Sequence, residues 1–437
     1  MAIFWDESRL KLDVESIARC LPALVASVLA ACSTVPGGEA VRPPAPSVIS
    51  PTMPTPSAPP LSDAPARAAK PPKPSVIEPT KTPPPQAVYL DAVSGAARIA
   101  RFLPEGIADR HGWAKDIFAP FASLKLPLSA ENICAVAAVI AQESSFQGDP
   151  VVAGLPKIVK RELERRRQSI GAPQWLVDQA LKIESPNGRS YRYRIDRLKT
   201  EAEVSRLYDD MISELPLGKR LLADYNPVRT GGPMQVSLEF AKAQIKEAAY
   251  PYAYAGSLRN ELFTRRGGVY FGVAYLLHYP AEYDAMLYRF ADFNAGRYAS
   301  RNAAFQQALH LLSGVALDYD GDLSIYRDGA PSDAMSRTRQ VLYGLAQRLS
   351  LSREQIARDL LLEKKPEFSR TPLYRQVFAL AERSTGRVLE RARLPEIKLK
   401  GPKITRQLTT AWFAQRVDGR RRECIKIEAA ALSPATP

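Results

Sequence analysis

The sequence predicts a mainly α-helical fold, and two observations indicate it. Residues 133–141 form a run without a polar side chain, which is typical of a helix buried on all sides. Helical periodicity recurs along the chain after residue 89, whereas strand signals are sparse. After the N-terminal leader, no apolar stretch is long enough to suggest a membrane span.

The apolar run predicts a helix with recognisable ends. Ser129 is a suitable N-cap, and Glu131 falls in the first turn, where a negative charge suits the helix dipole. Glu143 falls in the last turn, on the face of Val136 and Val139. Apolar surroundings and the negative end of the dipole both raise the pKa of a carboxyl there, as a general acid requires. The alternative is that Glu143 is the first solvated residue of a fraying helix end.

Further helices are predicted along most of the remaining chain. Their approximate limits are 157–168, 172–183, 200–213, 236–249, 267–279, 281–291, 298–313, 333–348, 353–363, 372–384 and 404–417.

The N-terminal segment lacks globular character. Residues 21–31 form an apolar stretch behind basic residues that is too short to span a bilayer and is typical of a secretory signal. Residues 29–32 (Leu-Ala-Ala-Cys) resemble the cleavage and lipidation signature of bacterial lipoproteins. The resemblance implies that residues 1–31 form a signal peptide and that Cys32 is acylated. Because Ser33 is not the Asp that favours inner-membrane retention in that family, we expect an anchor on the periplasmic face of the outer membrane of a Gram-negative bacterium.

A proline-rich tether is expected over residues 32–88, beginning with the lipidated cysteine. The segment is rich in Pro, Ala, Ser and Thr and cannot bury enough apolar surface to fold. An extended chain of this kind spans about 3.1 Å per residue. The expected arrangement is a membrane anchor, a long tether and a helical domain that begins at about residue 89.

The formal net charge is +14 at pH 7. A surplus of this size favours an anionic partner. If the lipoprotein interpretation holds, the compartment excludes nucleic acid, and anionic cell-wall peptides and lipid head groups remain.

The three histidines form no zinc-binding pattern, and no phosphate-binding loop is recognisable. We therefore expect neither a metal site nor a cofactor.

Two of the four cysteines, Cys134 and Cys424, lie in the expected exported domain. We predict that they form a disulfide bond that ties the C-terminal segment to the Glu143 helix. The alternative is that Cys134 is a free thiol that packs as a small buried hydrophobe.

Three further segments combine glycine with aromatic or amide side chains. Residues 231–237 read Gly-Gly-Pro-Met-Gln-Val-Ser and precede a predicted helix. Residues 268–276 read Gly-Val-Tyr-Phe-Gly-Val-Ala-Tyr-Leu, and their glycines, four apart, would let another backbone come close. Residues 291–296 read Ala-Asp-Phe-Asn-Ala-Gly, a helix end with a glycine suited to the C-cap. Each segment has an ordinary structural explanation by itself.

Together with Glu143-Ser144, these segments resemble, in the right order, the motifs of the soluble lytic transglycosylase family in the lysozyme-like superfamily. Residues 232–235 are similar to the family's Gly-Leu-Met-Gln, and residues 293–296 to its Tyr-Asn-Ala-Gly. Gly272, followed by Tyr275 and Leu276, is similar to its Ala-Gly-x-x-Tyr-Leu. The resemblance implies a lysozyme-like helical domain.

The resemblance also implies a division of the chain. The lysozyme-like catalytic domain is expected at residues 89–313. Because the stretch from Glu143 to Met234 is longer than is usual in the family, residues 150–226 are expected to be a helical insertion. Residues 314–437 have no recognised counterpart and are expected to form a C-terminal helical extension.

The implied activity is cleavage of the β-1,4 bond between N-acetylmuramic acid and N-acetylglucosamine in peptidoglycan strands, with formation of 1,6-anhydro-N-acetylmuramic acid. Glu143 would act as both acid and base. Gln235 and Asn294 would orient the sugar, and Ser144 would support the acid. Met234 and Phe293 would form apolar walls. The implied substrate-binding residues are Ser144, Met234, Gln235, Tyr275, Phe293 and Asn294.

Departures from the family leave alternatives open. Phe293 stands where the family has a Tyr, so a hydroxyl is lost unless Tyr288 or Tyr298 replaces it. This loss favours a second hypothesis, a non-catalytic module that binds peptidoglycan. A third hypothesis, hydrolysis by water as in a muramidase, needs a second carboxylate such as Asp292.

The predicted insertion is rich in arginine. Residues 165–167 are three consecutive arginines, and residues 191–197 form a run of basic and aromatic side chains. These clusters are either a solvated helix face or a rim that binds the anionic stem peptides of the glycan.

Overall fold

The helices of the chain are organised by three hydrophobic clusters. The computed structural model describes residues 91–215, 220, 226–327, 330–399 and 407–432. The signal peptide, Cys32 and the tether lie outside the described residues. The described part is mainly helical, as predicted, and its strands are short antiparallel pairs. Within it, none of the helices combines the length and apolar character needed to cross a bilayer.

The elements of the N-terminal half follow one another in chain order. They are α1 (Ala92–Phe102), α2 (Arg110–Ser123), α3 (Ala130–Glu143), α4 (Leu155–Ser169), α5 (Gln174–Ala180), α6 (Tyr191–Asp196), α7 (Glu201–Ser213), β1 (Thr230–Gly231) and β2 (Val236–Ser237).

The remaining elements carry the chain back to the first helices. They are α8 (Leu238–Glu247), α9 (Leu258–Leu262), α10 (Arg265–Leu277), α11 (Met286–Ala295), α12 (Ala299–Ser313), β3 (Tyr326–Arg327), β4 (Ala330–Pro331), α13 (Arg337–Gly344), α14 (Arg353–Leu360), a 3-10 helix (Pro366–Arg370), α15 (Pro372–Thr385), β5 (Lys398–Leu399), β6 (Leu408–Thr409) and α16 (Thr410–Leu432).

Helix α3 is the buried helix that the apolar run predicts. Every side chain from Ile133 to Ile140 is buried, and Ala141 is partly exposed. The Oγ of Ser129 accepts a hydrogen bond from the backbone N–H of Asn132 at 3.2 Å, so the predicted N-cap is confirmed. The first cluster surrounds α3 with residues of α1, α2, α10 and α16.

Helix α16 belongs to this first cluster. It packs against α3 and α11, and its residues Phe413, Ala414 and Val417 are buried in the cluster. The last helix of the segment expected to be a C-terminal extension, residues 314–437, is therefore part of the central packing. A contact between segments so far apart in sequence leaves no periodic signal.

The segment expected to be an insertion has a hydrophobic cluster of its own. Helices α4–α7 contribute buried side chains to it, among them Tyr191, Tyr208 and Met211. The start of the segment is fixed to the residues before α7, since the N–H of Val152 donates to the carbonyl of Lys199 at 2.8 Å. This second cluster forms one wall of a cavity described below.

The third cluster joins α12 to the helices that follow it, up to α15. Phe305 of α12 packs edge to face on Phe368 and Phe378, with ring centroids 5.3 Å and 6.3 Å apart. The third cluster therefore contains residues from both sides of residue 313, where the sequence-based division places a boundary.

Some helices differ from the sequence prediction. Helices α1 and α2 were not predicted, and α2 contains Gly112 and Pro120, which weaken a helical pattern. The helix predicted at 281–291 lies instead at Met286–Ala295. The chain before it remains a loop in which the hydroxyl of Tyr283 donates to Asp292.

Candidate functional site

Helix α10 begins beside the turn that follows Glu143. A Cβ added to Gly148 in this turn would lie 3.5 Å from the Cβ of Arg265, the first residue of α10. The ring of Phe146 packs edge to face on Trp113, with centroids 5.3 Å apart. The guanidinium of Arg265 lies 5.2 Å from the Trp113 ring. The Glu143 turn and the start of α10 thus share one indole.

The second motif segment forms a hairpin loop that packs on the middle of α10. Strands β1 and β2 pair antiparallel, which leaves residues 232–235 as the loop. A Cβ on Gly268 would lie 2.8 Å from the Cα of Gly232, and a Cβ on Gly272 would lie 2.2 Å from the Sδ of Met234. The prediction that these two helical glycines let another segment come close is confirmed. Met234 is completely buried.

The C-terminal end of α10 contacts the motif at residues 293–296, which we call the fourth motif. The ring of Tyr275 packs edge to face on Phe293 at 5.4 Å and on Phe240 at 4.8 Å between centroids. Burial raises the pKa of the Tyr275 hydroxyl, and the nearby Arg297 partly opposes the rise. Tyr275 therefore stays neutral at physiological pH and presents an aromatic surface next to Phe293.

Asn294 is held by the C-terminal helix. The hydroxyl of Thr410, the first residue of α16, donates to the Oδ1 of Asn294 at 2.8 Å. Further along α16, the Nε of Arg416 donates to the Oε1 of Gln142, the neighbour of Glu143, at 3.2 Å. At 1.5 Å per residue, these two contacts are about 9 Å apart along the helix. Through α16, the C-terminal ends of α3 and α11 are therefore neighbours.

Glu143 is the last residue of α3, and its side chain is partly exposed. The hydroxyl of the buried Ser144 donates to the carbonyl of Ile140 at 3.0 Å, so Ser144 closes the helix end. Ser145 and Phe146 follow with φ of 51° and 59°. The left-handed conformation costs a non-glycine residue about 1–2 kcal/mol and is found preferentially at functional sites. Two such residues in succession fix the path of the chain away from Glu143.

Gln235 ends the hairpin loop, also in a left-handed conformation with φ of 52°. Its backbone N–H donates to the carbonyl of Gly232 at 3.1 Å. Its side-chain Oε1 accepts from the hydroxyl of Thr230 at 3.2 Å. The hairpin itself therefore orients the Gln235 amide, at a position that is partly exposed.

Asp292, the second carboxylate considered for hydrolysis, is completely buried. It accepts hydrogen bonds from the N–H groups of Tyr298 and Ser300 at 3.0 Å and 2.7 Å, and from the hydroxyls of Tyr279 and Tyr283. Burial raises the pKa of Asp292, and its hydrogen-bond donors oppose the rise. The carboxylate joins α11 to the start of α12, and it is not exposed to a water that it could activate.

The two tyrosines considered as replacements for the lost hydroxyl belong to the packing around Asp292. Tyr298 packs edge to face on Tyr279, and Tyr288 packs on Tyr283. Tyr298 is also buried. The aromatic contact of Phe293 that the structure records is with Tyr275.

Sequence reasoning did not single out Arg297, which directly follows the fourth motif. Its guanidinium donates to three carbonyl groups at the C-terminal end of α10. It also lies 4.6 Å from the ring of Phe240 and 5.2 Å from that of Tyr275. Burial lowers the pKa of the group. Arg297 thus positions the end of α10. The feature of the sequence that could have indicated this role is its place immediately after Gly296, the glycine that ends α11.

The consecutive arginines of the expected insertion have acidic partners on their own helix. Arg165 and Arg166 bind Glu162, and Arg167 binds Glu164, at 2.6–2.7 Å. Arg166 is also buried. These contacts favour the helix-face interpretation of residues 165–167 over the substrate rim.

Cys134 of α3 and Cys424 of α16 form the disulfide bond that the sequence suggests, with their Cα atoms 5.6 Å apart. The bond joins the helix that ends at Glu143 to the helix that holds Asn294. Elsewhere in the described ranges, no three His, Cys, Asp or Glu side chains are grouped so as to hold a metal ion.

Comparison with known proteins places these residues in a family. Residues 106–427 match the family described as "Protein of unknown function (DUF1615)", a range that contains Glu143, Gln235, Asn294 and the disulfide. The chain is 49% identical over 335 residues to "Uncharacterized protein YaiW" of Escherichia coli (strain K12), which covers 77% of this chain and 90% of that protein. No solved structure is significantly similar to the chain.

Proposed function

The chain belongs to the DUF1615 family, and we propose that it is a lytic transglycosylase that cleaves peptidoglycan strands while anchored to the outer membrane through Cys32. The proposal includes a lysozyme-like arrangement of the helices around α3 and α10. The reaction leaves a 1,6-anhydro ring on N-acetylmuramic acid and uses neither a metal nor a cofactor.

The observation that carries the proposal is that α10, which contains one of the four motifs, contacts the segments of the other three. From Arg265 to Tyr275 this helix is about 15 Å long. Over that length it contacts the turn after Glu143, the hairpin loop and the end of α11. Three segments so far apart in sequence need not converge on the helix that carries the remaining motif. Their convergence supports a single groove that binds a glycan.

In this mechanism Glu143 first donates a proton to the substrate and then accepts a different one from it. The protonated carboxyl gives its proton to the glycosidic oxygen as the bond from C1 of N-acetylmuramic acid breaks, and N-acetylglucosamine leaves with a new 4-hydroxyl. The acetamido group of N-acetylmuramic acid stabilises the positive charge that develops at C1. The Glu143 carboxylate then accepts the proton of the 6-hydroxyl as the 6-oxygen bonds to C1. No water is consumed, and Glu143 is protonated again.

Neighbouring side chains suit the recognition of an acetamido sugar. The Oδ1 of Asn294 is engaged by Thr410, whereas its Nδ2 donates to no group among the described residues and is available to a carbonyl acceptor. Gln235 offers a second amide, oriented by its own hairpin. The rings of Tyr275 and Phe293 offer apolar surfaces on which a sugar face can pack.

Mass spectrometry of the soluble products from purified peptidoglycan tests the proposal. We expect the full chain to release anhydromuropeptides and the Glu143→Gln variant to release them at least about a hundredfold more slowly, because it has no acid. Glu105→Gln, the same change at an exposed glutamate, is the matched control and keeps the rate. Release at an undiminished rate by Glu143→Gln would remove Glu143 from its role.

A non-catalytic peptidoglycan-binding protein is the second candidate. Two observations favour it: Phe293 supplies no hydroxyl, and Thr410 occupies one face of the Asn294 amide. Under this candidate the wild-type chain sediments with peptidoglycan but releases no soluble product. Under the transglycosylase proposal, the Glu143→Gln variant sediments with peptidoglycan, whereas the wild type cleaves it and releases soluble products.

The muramidase alternative has less support. Its second carboxylate, Asp292, is buried and engaged by four hydrogen-bond donors. Products that end in reducing N-acetylmuramic acid in place of the anhydro form would indicate hydrolysis.

A further inference from the structure

A cavity of about 820 Å³ lies between the insertion and the helices that follow the hairpin. Helices α6 and α7 form one wall, and α8 and α9 form the other. A volume of this size accommodates a short peptide. Its charged lining residues are Arg194, Arg206, Asp209, Asp210, Lys242 and Arg259.

The lining has more positive than negative charge, and its acids have protein partners. Asp210 binds the Nη2 of Arg194 at 2.7 Å, and Asp209 accepts from the amide of Asn226 at 3.2 Å. The Nη1 of Arg194 is buried without a hydrogen-bond partner. Arg206 is exposed and forms no ion pair with the part of the chain that the structure describes. The two arginines therefore offer donors to an anion.

The cavity is continuous with the hairpin of the proposed site. Leu238, which lines it, follows β2 directly and lies three positions after Gln235. The side chain of Arg259 donates to the carbonyl of Val228, just before β1, at 2.5 Å. The buried Asn226 binds Ser205 of α7, so the hairpin and the wall of the insertion are held together.

We infer that this cavity binds the carboxylate-bearing peptide stems of peptidoglycan, with Arg194 and Arg206 as carboxylate donors. The inference rests on the proposed function, which places the glycan beside the hairpin. Arginine recognises carboxylates through paired N–H donors, and such charge-assisted hydrogen bonds are the strong ones.

Isothermal titration calorimetry of the detergent-solubilised full chain tests the inference without any cleavage step. The probe is the free tripeptide L-alanyl-γ-D-glutamyl-meso-diaminopimelic acid. We expect saturable binding that weakens about tenfold in Arg206→Glu, because one charge-assisted contact is lost and one repulsion is gained. Arg206→Lys retains part of the affinity, since it keeps the charge without the paired donors. Binding also weakens with added salt.

The matched control is Arg161→Glu, which reverses the charge of an exposed arginine on α4 outside the cavity. This variant changes the net charge as much as Arg206→Glu does, but away from the cavity. It should therefore bind the tripeptide within about twofold of the wild type. Equal binding by Arg206→Glu and wild type, or no saturable binding at all, would overturn the inference. Amidation of the peptide carboxyls should abolish the difference in affinity between the wild type and Arg206→Glu.

Cleavage assays separate this inference from the proposed function. If the tripeptide binds at the cavity and no anhydro product forms, the function is wrong and the peptide site stands. If anhydro products form at equal rates from strands with and without stems, and the tripeptide does not bind, the function stands and the peptide site is wrong. If both are correct, Arg206→Glu raises the KM for strands that carry stems and leaves the KM for stripped strands unchanged.

Discussion

The side chain of Met234 lies directly against the backbone of Gly272. A Cβ at Gly272 would lie 2.2 Å from the Sδ of Met234 and 2.5 Å from its Cβ. The hairpin loop can therefore sit on α10 only because residue 272 has no side chain. This contact holds the loop that ends at Gln235 on the middle of α10.

The Gly272→Ala variant should destabilise the protein. Alanine favours a helix over glycine by about 1 kcal/mol. However, the conflict involves the Cβ of Met234, which cannot move unless the hairpin moves. Overpacking of this kind costs about 1–3 kcal/mol, so we expect a net loss in the free energy of unfolding, measured by urea denaturation.

The control for this prediction is Gly419→Ala in α16. A Cβ at Gly419 would meet no atom within 4 Å. The helix propensity then acts alone, and the variant should be more stable by up to about 1 kcal/mol. If both variants were stabilised, the close packing of Met234 on α10 would be contradicted.

How well the sequence predicts a feature of the fold depends on how far apart in sequence the interacting residues lie. The cap at Ser129 and the buried run of α3 depend on residues close in sequence, and both were predicted. The packing of α16 between α3 and α11 depends on contacts such as Thr410 with Asn294, and periodicity carries no information about them. The engaged state of Asp292 was also unpredictable, because its partners come from a loop and from the next helix.

Ser145→Gly should separate backbone strain from function. Glycine adopts a positive φ without the steric cost of a serine, while it loses more entropy on folding. We expect a gain of at most about 1 kcal/mol in the free energy of unfolding. Under the proposed function, the more flexible turn should also slow the release of anhydromuropeptides, because Glu143 is held less firmly.

Ser350→Gly is the matched control for that variant. Ser350 has a φ of 52°, as Ser145 has 51°, and it lies after α13, among the helices of the third cluster. Its substitution should change stability by a similar amount and leave cleavage unchanged. A Ser145→Gly variant with full activity would show that the strained turn has no role in positioning Glu143.

Loss of the Cys134–Cys424 disulfide should lower the free energy of unfolding. The bond closes a loop of 290 residues, and a disulfide stabilises by restricting the unfolded chain. We expect Cys424→Ala to reduce the free energy of unfolding by about 2–5 kcal/mol. A reductant should destabilise the wild type and have little further effect on the variant. Mass spectrometry of an unreduced digest should contain the cross-linked peptides, and their absence would contradict the pairing.

The lipid anchor is tested at Cys32. In a Gram-negative host, the wild-type chain should partition into the detergent phase and sediment with outer membranes on a density gradient. Cys32→Ser should remain in the aqueous phase, because the acyl chains have no site of attachment. Cys20→Ser removes the cysteine of the predicted leader and should leave partitioning unchanged. A Cys32→Ser chain that still enters the detergent phase would exclude this anchor.

Glu363 should make stability fall as the pH rises from about 4.5 to 7. The residue is completely buried. Burial raises the pKa of Glu363 from 4.5 to about 7, although the nearby Tyr326 hydroxyl opposes the rise. Between these pH values the folded state keeps a proton that the unfolded state has lost. The contribution of Glu363 to stability is therefore fully present below pH 4.5, and it is lost as the pH rises through about 7.

Glu363→Gln removes this titration while nearly preserving the shape of the protonated side chain. From pH 4 to pH 8, the wild type should lose up to about 3 kcal/mol of unfolding free energy that the variant keeps. Urea denaturation at the two pH values gives the difference, and a constant cost of burying the amide cancels in it. Glu105→Gln, at an exposed site, should follow the wild type at both pH values. Parallel pH profiles for wild type and Glu363→Gln would mean that Glu363 is ionised in the folded protein across this range.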